Sequence, residues 1–381
     1  MFRLCLALCA AILATNGAIG AEDTGRQLHN GAAIDAVFSD VGQSAPGYAV
    51  GILKDGHALI AKGYGLANIE DRVAITPDTV FHLASLSKQF TASAVALLIL
   101  DHKIALDDRV AQYIPETAKY GPNLRIEHLV YMTSGLHEYT DVPRPGGLPW
   151  FSAYYFTRDQ AIAASLSEPS LVYAPGTKWT YSNVNYMLLT KIVEKVSGES
   201  FGRFMHDRVF APLQMNASLI DDDTSLVIPH RAIGYAPRSA EVLKQLAQVH
   251  VDADQGGGFV RLDRNSPHFG GSGVFSSIAD LEKWDANWYS AKLGPAFTAL
   301  MNKRVKFQHD KDNDAFGLVF GDYEGRETIW YAGDDIDASS FMIRFPAQHL
   351  TVICLSNNPL GNAQERVMRL LKVLRAQSVL K

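Results

Sequence analysis

The chain has 381 residues, 47% of them hydrophobic and 20% charged, with a formal net charge of -5. That length supports two packed units or one large domain with an insertion, and the composition is that of a globular protein. A weak negative charge without any run of lysine and arginine excludes the electrostatic footprint of a nucleic-acid or anionic-membrane binder.

Residues 1–21 begin with a short positive region at Arg3, pass through an apolar run and end on Gly20 and Ala21 before Glu22. This is the layout of a cleaved secretory signal, so the mature chain is expected to be secreted or periplasmic. The apolar run is shorter than the roughly 18 to 20 residues of a membrane span, and no span is expected in the mature chain. Leu8 before Cys9 argues against a lipid anchor. Cys5 and Cys9 leave with this segment; Cys354, inside the apolar run 350–355, reads as a small buried apolar residue with no disulfide partner.

A helix is expected over 25–41. Two β-prone runs follow, 48–54 and 58–64, joined by Asp55-Gly56, a hairpin signal. Over 86–100 the pattern turns helical, with Phe90, Ala94, Leu97 and Leu98 at intervals of three and four. The stretch 104–248 has helical periods and Pro/Gly loops without strand alternation; its clearest helices are 186–196 and 200–209. Gly256-Gly257-Gly258 and Gly270-Gly271-Ser272-Gly273 precede a capped helix over 278–289. Strands are expected at 316–320, 328–331, 341–345 and 350–355, then a last helix over 362–377. Strands at both ends with a helical middle predict one sheet built from both chain ends. Residues 22–84 and 256–381 would form an α/β unit, and 85–255 an inserted, mainly helical one.

Ser85-Leu86-Ser87-Lys88 lies where the chain leaves an extended segment and enters a helix. A serine and a lysine three apart share one helix face, and the helix dipole favours negative charge at the serine oxygen. A weak hydroxyl nucleophile needs a base, and Lys88 serves as one if burial depresses its pKa. The pattern is weak alone: Ser378-Val379-Leu380-Lys381 repeats it at the C-terminus. Tyr181-Ser182-Asn183 follows, offering a hydroxyl that can relay protons and an amide that can hold a carbonyl, or merely a turn before a helix.

In order, these segments resemble the serine β-lactamase-related family, which includes class C β-lactamases, D-Ala-D-Ala carboxypeptidases, D-aminopeptidases and family VIII carboxylesterases. Phe81-His82-Leu83-Ala84-Ser85-Leu86-Ser87-Lys88-Gln89-Phe90-Thr91 resembles its nucleophile segment. Leu129-Val130-Tyr131-Met132-Thr133-Ser134-Gly135-Leu136 is similar to its "LLxHTSGL" stretch. Tyr173-Ala174-Pro175-Gly176 with Tyr181-Ser182-Asn183-Val184-Asn185-Tyr186 is similar to "PGxxxxYSNxxY". Gly271-Ser272-Gly273-Val274-Phe275-Ser276-Ser277-Ile278-Ala279-Asp280-Leu281 is similar to "GGGLxSTxxDL". The resemblance implies an α/β (α+β) fold of the β-lactamase/transpeptidase type: an antiparallel sheet flanked by helices, an inserted helical domain, and the active site at their interface. It implies that Ser85 is acylated, that Lys88 is its base and that Tyr181 relays protons. Asn183 would bind the substrate carbonyl, the backbone N–H groups of Ser85 and Asp334 would form the oxyanion hole, and neither cofactor nor metal would be needed. The partner would be a small-molecule or peptide substrate.

The family's third motif, Lys-Thr-Gly or His-x-Gly, corresponds to Tyr331-Ala332-Gly333. Gly333 suits a strand that hugs substrate, whereas Tyr331 replaces the cation. Asp334 and Asp335 add negative charge that repels carboxylate-bearing substrates, so ester or amide cleavage is expected ahead of β-lactam hydrolysis. Asp337-Ala338 replaces a later Gly-aromatic pair. These departures keep open a second expectation, a catalytically weakened relative that binds cell-wall peptides or a partner without turnover. Asp310, Asp312 and Asp314 resemble the start of a calcium loop, but Ala315 and Gly321 stand where its turn glycine and closing glutamate belong, leaving a solvated loop. The aromatic cluster Trp150, Phe151, Tyr154, Tyr155 and Phe156 reads as core packing first and a lip for an apolar acyl group second.

Overall fold

The computed structural model describes residues 31–239, 242, 258–305, 313–314 and 316–381. Residues 1–21, expected to be a secretory signal, residues 25–30 of the first expected helix, Gly256, Gly257, Asp310 and Asp312 lie outside these residues.

Strands are numbered in chain order. Asp55 and Gly56 both take positive φ, 54° and 78°, as a two-residue turn with the twist of its flanking strands requires. They join β1 (Tyr48–Lys54) to β2 (His57–Tyr64). Short pieces follow: β3 (Leu66–Asn68) with β4 (Val73–Ala74), and β5 (Phe81–His82), which with β6 (Leu219–Ile220) flanks β9 (Val274–Ser276). β7 (Tyr235–Pro237) pairs with β8 (Phe259–Arg261). The chain ends in a meander: β10 (Asn313–Asp314), β11 (Val319–Tyr323), β12 (Arg326–Asp335), β13 (Ala338–Phe345) and β14 (Leu350–Ser356). β14 returns beside β1, with Gly51 opposite Ile353, which completes an antiparallel sheet ordered β10-β11-β12-β13-β14-β1-β2. The sheet built from both chain ends is as the sequence predicts.

Every residue of β13 and β14 is buried, because both faces of the sheet are covered. On one face Val50, Ile52, Ile343, Val352 and Cys354 pack with Val367, Leu370 and Leu374 of the C-terminal helix Ala363–Ala376. On the other, Ala49, Leu53, Met342 and Ile353 join the large core with Ile278, Leu281 and Trp284 of the helix Ile278–Ser290. The helix Lys88–Leu100 is buried at every position from Lys88 to Leu98, so it lacks a polar face although its apolar spacing is helical.

Three expectations shift. The helix expected over 200–209 is Phe201–Met205, a π segment His206–Phe210 and a last turn Ala211–Leu213. The strand expected at 316–320 begins at Val319: Gly317, at φ 63°, lies so close to the Lys88 backbone that a Cβ would sit 2.5 Å from its carbonyl oxygen, which draws this stretch away from the sheet. The stretch 104–248 does contain strands, β6 and β7, too short to display alternation. Among the described residues no helix is long and apolar enough to cross a membrane.

Candidate active site

Behind β5 the chain turns once in a 3-10 helix, Ala84–Ser87, before entering Lys88–Leu100. Ala84 takes φ 48°, a left-handed conformation costly for any residue but glycine, and such strain persists only where the surroundings hold it. The surroundings here are neighbouring strands. The Leu83 N–H donates to the Val274 carbonyl at 2.9 Å, and the Ser340 hydroxyl donates to the Leu83 carbonyl at 2.7 Å. Gly333 of β12 closes the other side: a Cβ there would sit 2.5 Å from the Leu83 oxygen and 2.7 Å from the Ser85 nitrogen. Only glycine admits this approach, which accounts for the Gly333 expected from the sequence.

Tyr181 and Asn183 arrive on a second segment. Ser182 caps the helix Asn183–Ser197 by accepting from the Asn185 N–H. Glu138, which sequence reasoning missed, accepts from the Asn183 N–H at 2.7 Å and the Val184 N–H at 3.4 Å, and also hydrogen-bonds the Ser182 side chain. No motif marks Glu138; it reaches the helix from a loop upstream.

The two segments and the Gly271 loop meet at Lys88, whose side chain is fully buried. Its Nζ lies 3.0 Å from Ser85 Oγ, 2.5 Å from the Tyr181 hydroxyl, 2.8 Å from Asn183 Oδ1 and 2.6 Å from the Gly271 carbonyl. Ser85 Oγ and the Tyr181 hydroxyl are themselves 2.5 Å apart. Asn183 Oδ1 and the Gly271 oxygen can only accept, so they take two N–H bonds. The third valence of the nitrogen faces the two hydroxyls, as a hydrogen when Lys88 is charged and as a lone pair when it is neutral. Burial lowers the Lys88 pKa to about 7, against the opposing fields of Glu138 and Asp335. Burial of the Tyr181 hydroxyl raises its pKa, although the residue as a whole is 39% exposed. Near neutrality the lysine, not the tyrosine, therefore holds the available lone pair.

In front of Ser85 opens a cleft of about 220 Å³ lined by Tyr139, Trp150, Phe151, Ser152, Asn183, His268, Asp334 and Asp335 among others. Ser85, Lys88, Tyr181, Asn183 and Gly333 are thus brought together, and Asp334 borders the same space. Tyr331 is 8% exposed and belongs to the large core, while Asp334 and Asp335 form the β12 wall of the cleft. Trp150 and Phe151 pack against the core clusters, as expected first, and also line the cleft. Asp337 faces a buried histidine: its Oδ1 lies 2.8 Å from His82 Nδ1, and His82 Nε2 accepts from the Gly273 N–H at 3.3 Å. The departure at 337 is therefore absorbed by a hydrogen-bonded link to the strand that leads into Ser85.

Residues 34–377 match the family described as Beta-lactamase. A D-aminopeptidase of Gluconobacter oxydans (strain 621H) is 26% identical over 315 residues, covering 82% of this chain and 56% of the relative. Protein flp of Staphylococcus aureus (strain MW2) is 29% identical over 322 residues, covering 82% and 59%. The chain thus spans less than two thirds of the length of these curated relatives. Among solved structures, the octameric penicillin-binding protein homologue from Pyrococcus abyssi superposes with a TM-score of 0.72 at 24% identity, covering 87% of this chain and 74% of that one. The D-amino acid amidase from Ochrobactrum anthropi SV3 in complex with L-phenylalanine amide gives 0.71 at 20% identity, covering 91% and 98%. With the family match spanning nearly the whole described fold, the chain belongs to the Beta-lactamase family.

Proposed function

We propose that the chain is a serine hydrolase that cleaves ester or amide bonds through an acyl-enzyme on Ser85. The observation that carries this reading is the placement of a fully buried Lys88, with a pKa near 7, within hydrogen-bond reach of both Ser85 Oγ and the Tyr181 hydroxyl. Ser85 Oγ attacks the carbonyl carbon while its proton passes to the Lys88 lone pair. Negative charge developing on the carbonyl oxygen is met by the backbone N–H groups of Ser85 and Asp334. The bond to the leaving group breaks as Tyr181 hands it a proton, replaced at once from Lys88. Water then enters, gives its proton back along the same route and releases the acid. Because Asn183 Oδ1 is committed to Lys88, its amide N–H₂ is the end left to hold the substrate carbonyl.

The D-aminopeptidase relatives and the amidase neighbour support amide cleavage, and the two carboxylates of the cleft weigh against carboxylate-bearing β-lactams. The binding-only alternative loses ground, since Asp337 is engaged with His82 and leaves the Ser85–Lys88–Tyr181 cluster intact. The layout of residues 1–21 supports export of the mature chain. The division into an α/β unit of 22–84 and 256–381 and a helical unit of 85–255 is likewise a proposal. A fluorophosphonate probe followed by mass spectrometry tests the central claim: labelling is expected on Ser85 and lost in Ser85→Ala. Absence of labelling on folded protein would refute it.

A further inference from the structure

Resting on the acyl-enzyme reading, we propose that the cleft selects acyl groups that carry a primary ammonium beside an aromatic or apolar side chain, and that Asp335 is the residue that binds the ammonium. Asp335 is fixed before substrate arrives. Its Oδ1 accepts from the Ser152 hydroxyl at 2.8 Å and from the Ile336 N–H at 2.7 Å, so the carboxylate is tied both to its own strand and to the opposite wall. Asp334 lies beside it on the same wall. Apart from Lys88 behind Ser85, no lysine or arginine is among the lining residues. His268, the remaining titratable base there, is driven far below its usual pKa, by burial first and then by the charge of Arg264, and stays neutral. Arg144 stacks on Trp150 and donates to the carbonyls of Pro149 and Tyr155, which occupies its charge within the loop.

The cleft is therefore negative, and its remaining walls are the rings of Tyr139, Trp150 and Phe151, surfaces that attract a cation as well as apolar groups. Its volume of about 220 Å³ falls below the roughly 300–1,000 Å³ of sites for drug-sized ligands, which limits the acyl group to about one amino-acid residue. An inorganic cation fits less well. His82, Asp335 and Asp337 do bring ligand atoms within 4.8 Å of one another. Both ring nitrogens of His82 are already engaged, however, and the positive charges of Arg264 and Arg231 act on Asp337. An organic ammonium needs only Asp335 and the aromatic wall.

The test compares four nitroanilides with the unmodified full chain: phenylalanyl in each of its two antipodes, N-acetylphenylalanyl, and the analogue without the amine. The free amine is expected to raise kcat/KM over the amine-free analogue by about 10- to 100-fold, the range for a hydrogen bond to a charged group. That ratio should fall as pH rises through about 8, where an α-amine loses its proton. In Asp335→Asn it should drop toward one, and in Ser152→Ala, which releases the carboxylate, it should fall part of the way. An amine-free or acetylated substrate cleaved as well as the amine by the unmodified protein overturns the proposal, as does a ratio abolished by a chelator. Fluorophosphonate labelling of Ser85 is run alongside. Labelling without amine preference rejects only the ammonium site, whereas no labelling rejects the hydrolase reading beneath it.

Discussion

Lys88 is placed where its environment opposes its own charge, and two measurable consequences follow from that. The attack of Ser85 needs the neutral amine, so kcat/KM should rise with pH through about 7 and level off above it. Lys88→Arg keeps the charge at every working pH and should lose activity by a thousandfold or more, with stability lowered as well. Stability carries the same signature. The folded pKa of about 7 lies below the unfolded value near 10.5, so between them the unfolded chain binds the extra proton. Stability should therefore climb with pH across that window and stop climbing above it. Urea midpoints measured at pH 7 and pH 10 should show this rise in the parent and a much smaller one in Lys88→Met. The Ser85–Lys88 pairing was legible in the sequence only through its companions, because Ser378–Lys381 has the same spacing and no partner segment. The protonation state was not legible at all: it is set by burial against the opposing fields of Glu138 and Asp335, all supplied from distant parts of the chain.

Between elements, the site depends on two close approaches. At Gly333, β12 touches the turn that presents Ser85. Gly333→Ala must push that turn away, since the Leu83 oxygen and the Ser85 nitrogen that obstruct it are backbone; activity is expected to fall by more than a hundredfold and stability by about 1–3 kcal/mol, as in other overpacked sites. At Glu138, a loop carboxylate holds the first N–H groups of the helix that carries Asn183. Glu138→Gln should cost about 1 kcal/mol, a typical loss for a weakened helix cap. It also removes a negative charge that supports protonated Lys88, so the acid limb of kcat/KM should move to lower pH. A limb that stays in place would show Glu138 to be a cap alone. Local signals located the caps at Ser200 and Ser277, which accept backbone N–H groups as a serine before a helical run leads one to expect, whereas Ser182 caps a helix that begins before the expected 186. Glu138 escaped because its partners are 45 residues away and neither end forms a recognisable pattern. Tyr331 lies on β12 and packs in the large core, a setting that strand alternation alone does not report, since it tells which face a residue takes and not what waits there.

At the scale of the whole molecule, the strands at both chain ends announced a shared sheet, and β1 beside β14 fulfils that expectation. The order of the inner strands did not show itself, because strands buried on both faces lose the alternation that reports register. Cys354 offers a probe of this sheet. It is fully buried on β14, and burial raises its thiol pKa, so in a chain freed of Cys5 and Cys9 it should resist thiol reagents until global unfolding. A reaction rate that tracks urea denaturation would place β14 in the last unit to open; rapid labelling of native protein would exclude that. The same pairing bears on synthesis. The ribosome makes β1 and β2 long before β14, so the hairpin waits with a bare edge, Tyr48 to Lys54, until β14 emerges. An unpaired apolar edge is a template for wrong partners, and contacts between the two ends of a chain form slowly. The newborn protein is most exposed to aggregation in the interval before its final strand emerges, and a circular permutant that joins β14 directly to β1 should shorten that interval.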